Sequence, residues 1–381
     1  MKLSLSAENQ QFRQEVCNFL QSELPPEIAE EEARTGHLSR SDYVEWQRKL
    51  ADRGWAAPNW PKQYGGTGWT PIQRHIWEVE YGRACAPEIS VIGVGLVGPV
   101  ICRFGTEDQK AGYLQPILQG EAFFCQGFSE PQAGSDLASV KTRAVRDGED
   151  YVINGQKIWT SHAPDADYMV CLCRTNMDVK PQAGLSMLIV PMDAPGVTFR
   201  PIETIDDNHS VSEVFLDEVR VPATNLIGEP DKAWTYTKFL LNTERTHNAY
   251  IGILYRYINR LRRSADYSIG YRRKLAMLEI DVEALEWSVL RVLAEEEGAS
   301  TAASASALKV SASELLLRAG ELEMQQLGLA ALPAAHKGEP TAPFAPDCAA
   351  GQRGQFMYWR AASIFGGANE IQRAIIWGSL G

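Results

Sequence analysis

Residues 126–136 read QGFSEPQAGSD and lie where the sequence pattern changes from helical to alternating. The segment combines two glycines and two serines with several backbone N–H groups in a predicted turn. Such a turn suits an electron-rich ring or a phosphate group, because its N–H groups and hydroxyls can donate hydrogen bonds. Taken alone, however, the segment favours an ordinary surface turn over a binding site.

A second segment, KIWTS at residues 157–161, changes this balance. It follows Asn154-Gly155, which predicts a two-residue hairpin turn with positive φ between two strands. An indole at Trp159, with Thr160 and Ser161 beside it at a strand end, can cover one face of a planar ring and donate a hydrogen bond to it. Together the two segments favour a site for a planar ligand.

Helical periodicity precedes this region and returns after it. Helices are predicted over residues 41–53 and 71–83, and the capping-box pattern at residues 106–109 starts another. The helical pattern resumes at residue 233 and continues almost to the end. Between these parts, further strands are predicted over residues 167–173, 185–191, 197–202 and 211–221.

This order predicts an α+β protein, in which the short strands form a small β-barrel or sandwich. The expected domains are an N-terminal helical domain over residues 1–124, a middle β domain over residues 125–231, and a C-terminal helical bundle over residues 232–381.

Composition excludes several classes of function. The chain has 381 residues, 45% of them hydrophobic, and a formal net charge of −11. This charge argues against nucleic acid as a partner, since phosphates attract basic surfaces. No apolar segment is long enough to span a membrane, and residues 1–21 predict an amphipathic helix and not a signal peptide, so a cytoplasmic location is expected. The seven cysteines and six histidines show no metal-ligand spacing.

The order of these segments, together with NEIQR at residues 369–373, resembles the acyl-CoA dehydrogenase family over nearly the whole chain. The resemblance implies a C-terminal four-helix bundle and an FAD whose ring lies between the β domain and the bundle. It also implies the reaction: a base removes a proton from Cα of an acyl-CoA thioester, while a hydride leaves Cβ for flavin N5. An electron-transferring flavoprotein would then receive the electrons.

Carried over residue by residue, the resemblance implies which side chains form the site. The position of Trp159 packs on the flavin ring, and that of Ser161 lies at N5. Expected cofactor contacts are Gln126, Gly127, Phe128, Ser129, Trp159, Thr160, Ser161, Ala368, Asn369 and Glu370. Expected contacts with the acyl-CoA are Ser135, Asn242 and Phe365.

The catalytic base departs from the usual pattern of the family. Gly366 occupies the position where most members have a glutamate, so only its backbone N–H remains to polarise the thioester carbonyl. A minority of members place the base on a bundle helix, and Glu244 falls on that position. Arg245 falls where the family has an arginine near the substrate pocket. The alternative is that Glu244 and Arg245 are solvated helix charges.

A second departure concerns the contacts that a neighbouring subunit makes with FAD. Homotetrameric members use an Arg-x-x-Phe-Gly run and a glycine-rich run. Here residues 262–274 contain no Phe-Gly, and Leu329 replaces a glycine in the second run. A leucine blocks the close backbone approach to a phosphate that glycine permits. The sequence therefore predicts a paralogous acyl-CoA dehydrogenase subunit as partner in an α2β2 heterotetramer, as in bacterial relatives that degrade sterol side chains or dicarboxylates.

Two other functions stay open at this point. One is an oxidase or flavin monooxygenase on the same fold that uses dioxygen, and the other is a non-catalytic subunit that supports a catalytic paralogue. Loss of the usual base favours the second alternative, and Glu244 opposes it.

Overall fold

The computed structural model describes residues 5–36, 38–87, 91–243, 249–263, 268–294, 302–331 and 351–379. Its elements follow the predicted order of helices, strands and helices. The N-terminal helices are α1 (Ala7–Glu23), α2 (Pro26–Thr35), α3 (Arg40–Arg53), α4 (Pro71–Arg83), α5 (Gly98–Phe104) and α6 (Glu107–Leu118). The strands are β1 (Phe124–Gly127), β2 (Arg143–Asp147), β3 (Asp150–Ser161), β4 (Tyr168–Arg174), β5 (Leu185–Pro191), β6 (Val197–Ile202) and β7 (Val211–Pro222). The C-terminal helices are α7 (Ala233–Thr243), α8 (Ile251–Arg262), α9 (Ile269–Ala294), α10 (Ala302–Leu327), α11 (Gln352–Trp359) and α12 (Asn369–Gly378).

Local capping explains why the predicted helices begin where they do. The side chain of Thr106 accepts a hydrogen bond from the N–H of Gln109, whose own side chain accepts one from the N–H of Thr106. Both groups would otherwise lack partners at the start of α6. The capping box predicted at this position is confirmed. At the C-terminal end of α3, Gly54 has a φ of 77°, a left-handed conformation that glycine adopts readily at a helix end.

The strands form one connected seven-stranded sheet. Its order is β1-β4-β2-β3-β7-β6. Strand β5 lies outside this order and pairs with β4 in antiparallel orientation. The pairing of β1 with β4 is parallel and aligns Gln126 with Val170. Although β4 and β2 stand between β1 and β3 in this order, the N–H of Ile158 on β3 donates to the carbonyl of Ser129 just after β1, so the two polar segments lie side by side.

The predicted hairpin turn at Asn154-Gly155 is wrong. Both residues lie inside β3, and the turn between β2 and β3 falls at Gly148, whose φ is 62°. Opposite Asn154, strand β7 carries one extra residue, Glu218, with a φ of 51°. The side chain of Asn154 accepts a hydrogen bond from the N–H of Glu218 at 2.9 Å. The Asn-Gly pair therefore supports a β-bulge in the partner strand, which its own local sequence does not reveal.

Two apolar cores lie on opposite faces of the sheet. Along β4, Val170 and Leu172 pack in the core shared with the N-terminal helices, while Cys171 and Cys173 pack in the core on the other face. This alternation follows from the strand period of two residues. A third core joins α8, α9 and α10 into the C-terminal bundle. None of the helices in the described ranges has the length and apolar composition that crossing a bilayer requires.

Helices α4 and α8 join the N-terminal helices to the bundle through a close glycine contact. A Cβ on Gly252 would lie 2.5 Å from the carbonyl oxygen of Glu78 and 2.9 Å from Cα of Gly82. These neighbours are backbone atoms, which cannot rotate away. Glycine at this crossing therefore sets the distance between the two parts of the fold.

We expect Gly252→Ala to lower the free energy of unfolding by about 1–3 kcal/mol, because the added methyl group overpacks the α4–α8 contact. Gly112→Ala is the matched control, since Gly112 is also helical and a Cβ there has no neighbour within 4 Å. That substitution should stabilise the protein by up to about 1 kcal/mol through helix propensity. Denaturant unfolding measures both, and equal effects of the two substitutions would contradict the close contact.

Candidate functional site

The structure brings the two polar segments of the β domain into direct contact. The carbonyl of Ser129 accepts a hydrogen bond from the N–H of Ile158 at 2.9 Å. The carbonyl of Phe128 accepts one from Nζ of Lys157 at 3.2 Å. Residues 126–130 and 157–161 therefore form one continuous surface at the end of β1 and β3.

A buried ion pair holds this surface together. Nζ of Lys157 lies 2.8 Å from Oε1 of Glu130, and the two side chains are 0% and 2% exposed. The same ammonium donates a hydrogen bond to the carbonyl of Leu172 on β4 at 2.7 Å. Glu130 also accepts hydrogen bonds from the N–H groups of Lys141 and Thr142, at 2.6 Å and 2.8 Å. All three ammonium donors and both carboxylate oxygens thus have partners, which is the condition under which a buried ion pair is tolerated.

The pKa of Glu130 reflects this environment. Burial alone would raise the pKa of the carboxyl, because it disfavours the charged form. The charge of Lys157 and the hydrogen bonds from Lys157, Thr142 and Lys141 act in the opposite direction and leave the pKa below its ordinary value. The carboxylate is therefore charged at neutral pH and serves as a structural anchor.

Trp159 lies at a second bulge, this time in β3 itself. The pairing of β3 with β7 shifts between Lys157 and Thr160, and Trp159 takes a φ of 58°. This conformation is uncommon for a bulky residue and marks a strained position. Its consequence is that the indole is 57% exposed, although the next residue, Thr160, is fully buried. Bulges of this kind re-aim a side chain beside functional sites.

The residues after Trp159 differ in their exposure. Ser161 is partly buried at the end of β3. Thr160 is fully buried opposite Ser212, and within the described part of the chain neither hydroxyl has a hydrogen-bond partner. A flat exposed ring thus lies beside one accessible hydroxyl and one buried hydroxyl.

The Gly366 turn, residues 365–369, lies on the bundle between the end of the 3-10 turn at Arg360–Ser363 and the start of α12. Gly366 and Gly367 take φ values of 65° and 89°, in the region that favours glycine. The carbonyls of both glycines accept hydrogen bonds, but no hydrogen bond from the N–H of Gly366 to another described residue is present. The first turn of α12 has no side-chain cap, so its N–H groups are also available to a ligand.

The other predicted residues are placed as follows. Gln126 is partly buried in β1, while Gly127 is buried there and a Cβ on it would lie 2.3 Å from Sδ of Met169. Ser135 is exposed. Phe365 packs against the bundle core beside Trp359. Asn242 lies in α7, and Glu244 and Arg245 lie outside the described residues.

Within the described ranges, no hydrogen bond or ion pair links the Gly366 turn to the polar segments of the β domain. Of the residues in the turn, Ala368 is partly buried and Glu370 just after it is exposed. Asn369 is buried, and its side chain bonds to Lys309 and Ser313. Its backbone is therefore what remains for the predicted cofactor contact.

Sequence reasoning missed two lysines that shape this site. Lys157 occupies an inward position of an alternating strand, and Lys309 interrupts the apolar stripe of α10; both are at most 3% exposed. A lysine at a position that the pattern assigns to the core was the available signal, because lysine is almost never fully buried unless it is paired.

The fold combines helical parts with a β-sheet. The two polar segments that meet on the sheet form a candidate site for a planar aromatic cofactor. Models of the N-terminal, middle and C-terminal domains of acyl-CoA dehydrogenase match residues 6–121, 125–219 and 234–380. The chain belongs to the acyl-CoA dehydrogenase family. FAD-dependent dehydrogenation of acyl-CoA is therefore the class of its activity, and the expected fold class is confirmed.

Relatives and solved structures match along nearly the whole length. Acyl-CoA dehydrogenase FadE29 of Mycobacterium tuberculosis is 32% identical over 389 residues, covering 99% of this chain and 97% of that protein. The structure described as the Tcur3481-Tcur3483 steroid ACAD has a TM-score of 0.87 at 32% identity, covering 99% and 97% of the two chains. The ChsE4-ChsE5 complex from Mycobacterium tuberculosis has a TM-score of 0.84, with the same identity and coverage.

The residues present fit FAD. The exposed indole of Trp159 offers a face for the ring, and the adjoining backbone of residues 126–129 offers polar groups at its edge. On the bundle side, the start of α12 offers N–H donors without a side-chain cap among the described residues. Donors at a helix start suit the negative charge of a dinucleotide phosphate.

We expect Lys157→Met to lower the free energy of unfolding by about 3–5 kcal/mol, since it leaves the Glu130 carboxylate buried and unpaired. Lys157→Met combined with Glu130→Gln should cost less than the sum of the single substitutions, by about 1 kcal/mol or more. The control is Arg220→Met, which removes an exposed ion pair with Asp147 in the same sheet and should cost less than about 1 kcal/mol.

The pH dependence gives an independent check on the same pair. Because the folded pKa of Glu130 is lowered, its contribution is complete above the unfolded pKa of about 4.3 and is lost as the pH falls through the folded pKa. Unfolding curves should therefore show a flatter acid dependence for Glu130→Gln than for the unsubstituted protein. Equal acid dependence, together with additive substitutions, would contradict the assigned role of the pair.

Proposed function

We propose that this chain is the catalytic subunit of a heteromeric acyl-CoA dehydrogenase, in which Glu244 removes the α-proton of the thioester. The observation that carries this proposal is the Gly366 turn. Its positive φ values suit donation to a carbonyl oxygen by the N–H of Gly366, which has no partner among the described residues. The turn holds no carboxylate at the position where most family members have the base. The base must then come from another element.

Exposure argues against the carboxylate closest to the turn as the base. Glu370 follows the turn directly, but it is exposed in the first turn of α12. An exposed carboxylate keeps its hydration and its low basicity, whereas a base for a weakly acidic α-proton needs a dry site and a raised pKa. Glu244 falls on the bundle-helix position that some relatives use. Arg245 beside it is proposed to line the substrate pocket.

In this proposal the residues of the chain have separate roles in the reaction. The N–H of Gly366 donates to the thioester carbonyl and stabilises the negative charge that develops there as the α-proton leaves. Glu244 accepts that proton, and Ser135, Asn242 and Phe365 are proposed to contact the acyl-CoA. FAD, when bound, supplies the acceptor for the hydride from Cβ. The proposed cofactor contacts of residues 126–129, Trp159, Thr160, Ser161 and residues 368–370 orient the ring against the substrate.

We also propose a paralogous subunit as the partner. Leu329 is 77% exposed in the turn where homotetrameric members need a glycine, so its side chain would meet a neighbour's phosphate. Helix α12 exposes apolar side chains of Ile371, Ile375 and Trp377, which suits a subunit contact. Two structural relatives are described by pairs of protein names, and one of them is described as a steroid ACAD. A sterol-like or otherwise branched acyl group is therefore the proposed substrate, with an electron-transferring flavoprotein as acceptor. The cytoplasmic location stays a prediction.

The FAD content and mass of the purified protein test the partner proposal. The chain alone should bind less than one FAD per subunit. Co-expression with its paralogue should give an α2β2 assembly with one FAD per heterodimer, because each chain supplies contacts that the other lacks. Absorbance at the flavin band, with native mass spectrometry, measures both quantities. A homotetramer with one tight FAD per chain would contradict this part and leave the dehydrogenase assignment intact.

We expect Glu244→Gln to lower kcat by about 100- to 10,000-fold without loss of FAD, because it removes the base and keeps the side-chain shape. Glu321→Gln is the matched control, since Glu321 is a half-exposed helix carboxylate that pairs with Arg360. It should change kcat by less than about twofold, within the range of surface substitutions.

Anaerobic titration of the assembled protein with acyl-CoA thioesters reports the reaction directly. Loss of flavin absorbance that needs a thioester, and slow recovery in air, is the expected result. Fast recovery in air would mean an oxidase. No bleaching with any thioester in the presence of the partner would mean a non-catalytic subunit, and retention of activity in Glu244→Gln would exclude Glu244 as the base.

A further inference from the structure

One face of α10 carries three polar side chains toward the Gly366 turn. Ser306, Lys309 and Ser313 are spaced by three and four residues, which places them on the same side of the helix. All three are buried, and the residues between them that pack in the bundle core are apolar, such as Leu308 and Ala312. Apart from Glu323, which pairs with Arg260, the other buried positions of this helix are apolar side chains or glycine.

Each member of the row bonds to the turn or to the start of α12. Nζ of Lys309 donates to the carbonyl of Gly367 at 2.8 Å and to Oδ1 of Asn369 at 2.9 Å. Ser313 lies 3.0 Å from Nδ2 of the same asparagine. Ser306 donates to Oε1 of Gln372 at 2.6 Å, and that glutamine in turn donates to the carbonyl of Gly366 at 3.2 Å.

These bonds restrict the most flexible part of the turn. Two consecutive glycines have a larger choice of backbone conformations than any other pair, and fixing them costs more entropy. Here the carbonyls of both glycines are held on the bundle side by donors from α10 and α12. Holding these two carbonyls restricts the backbone dihedrals of Gly366 and so restricts the direction of its N–H group, which has no partner among the described residues.

Burying the ammonium of Lys309 at this position costs desolvation free energy. The side chain is 3% exposed, and within the described residues no carboxylate lies within ion-pair distance of it. A methionine or leucine would fill a helix-core position without desolvating a charge. Packing therefore does not account for this lysine, whereas its hydrogen bonds to the carbonyl of Gly367 and the side chain of Asn369 do.

We propose that Lys309 is a positioning residue for dehydrogenation: it fixes the Gly366 turn so that the N–H of Gly366 is pre-aligned for the thioester carbonyl. This inference rests on the proposed role of Gly366. The benefit is preorganisation, since a donor that is already in place need not be ordered as charge develops on the carbonyl oxygen. Lys309 acts through the turn and does not itself contact the reacting atoms.

The protonation of Lys309 offers a specific signature. Burial lowers the pKa of its ammonium to about 8, and the field of Glu370 on α12 partly opposes this shift. The other charged groups across the α10–α12 contact, Glu314 and Arg373, pair with each other at 2.5 Å. Below about pH 8 the ammonium donates with a full charge to the turn. Above that pH the neutral amine is a weaker donor, so the hold on the turn weakens as the pH rises.

Hydrogen–deuterium exchange of the full chain tests the structural half of this proposal without any activity. In Lys309→Met, the amides of Phe365 and Gln372, which donate to the carbonyls of Ala361 and Ala368 on either side of the two glycines, should exchange about tenfold faster or more, because local opening costs less. Lys274→Met is the matched control, since Lys274 is an exposed bundle lysine that donates to Gln325. It should leave the turn unchanged. Unchanged protection in Lys309→Met would overturn the proposal.

The unsubstituted protein provides the same test if Lys309→Met folds poorly. After correction for intrinsic exchange, protection of the hydrogen-bonded amides of Phe365 and Gln372 should fall between about pH 7 and about pH 9.5, while protection in α1 should stay constant. A turn whose protection is constant over this range would contradict the assigned role of the ammonium.

Kinetics of the assembled holoenzyme test the functional half. Lys309→Met should lower kcat by about 10- to 100-fold and change KM less than about threefold, because the loss falls on transition-state stabilisation. The unsubstituted enzyme should lose rate above about pH 8, and Lys309→Arg, which keeps its charge, should lack this decline. A loss confined to KM, or an identical alkaline decline in Lys309→Arg, would overturn the proposal.

These outcomes separate this inference from the proposed function. If the unsubstituted holoenzyme turned over no thioester, the proposed function and the catalytic role of Lys309 would both fall. The exchange experiment would still decide whether Lys309 holds the turn. If the enzyme were active and Lys309→Met lost protection without losing kcat, the dehydrogenase would stand and the positioning role would be wrong.

Discussion

The buried ion pair between Lys157 and Glu130 is the interaction on which the site in the β domain depends. Residues 128–136 form an irregular segment after β1, and such a segment has no ladder of backbone hydrogen bonds to hold it. The ammonium of Lys157 replaces that ladder by bonding to Phe128, Glu130 and the β4 strand at once. The exposed indole of Trp159 follows two residues later on β3, so its position relative to residues 126–129 is set by the same ammonium.

The bundle uses a buried ammonium in a similar way at the Gly366 turn. Lys309 also donates to a backbone carbonyl of an irregular segment, but its side-chain partner is the neutral Asn369 instead of a carboxylate. This difference explains why burial lowers the pKa of Lys309 to about 8, whereas the carboxylate of Glu130 remains charged beside Lys157. The pair of Lys157 with Glu130 serves as a structural anchor, whereas the charge of Lys309 changes with pH near 8.

Much of the fold could be predicted because its signals are local. The capping box at Thr106, the end of α3 at Gly54 and the bounds of β5 depend on residues that are neighbours in sequence. The bulges opposite Asn154 and at Trp159 could not be predicted, because they arise from the register between β3 and β7. A local Asn-Gly pattern therefore suggested a turn where the strand continues.

The same distinction between local signals and contacts of distant residues applies to the candidate site. The polar segments could be recognised from their composition and family resemblance, and the structure places residues 126–130 beside residues 157–161. The buried lysines could not be assigned, since Lys157 meets Glu130 across 27 residues and Lys309 meets Gly367 across 58. Glu244 and Arg245 lie outside the described residues, and their roles stay predictions.

The most direct measurement is a crystal structure of the assembled protein with FAD and an acyl-CoA. The account predicts electron density for the flavin ring between Trp159 and the Gly366 turn, with the thioester carbonyl hydrogen-bonded to the N–H of Gly366. It also predicts the carboxylate of Glu244 next to Cα of the acyl group. A flavin bound elsewhere, or a thioester that contacts neither Gly366 nor Glu244, would contradict it.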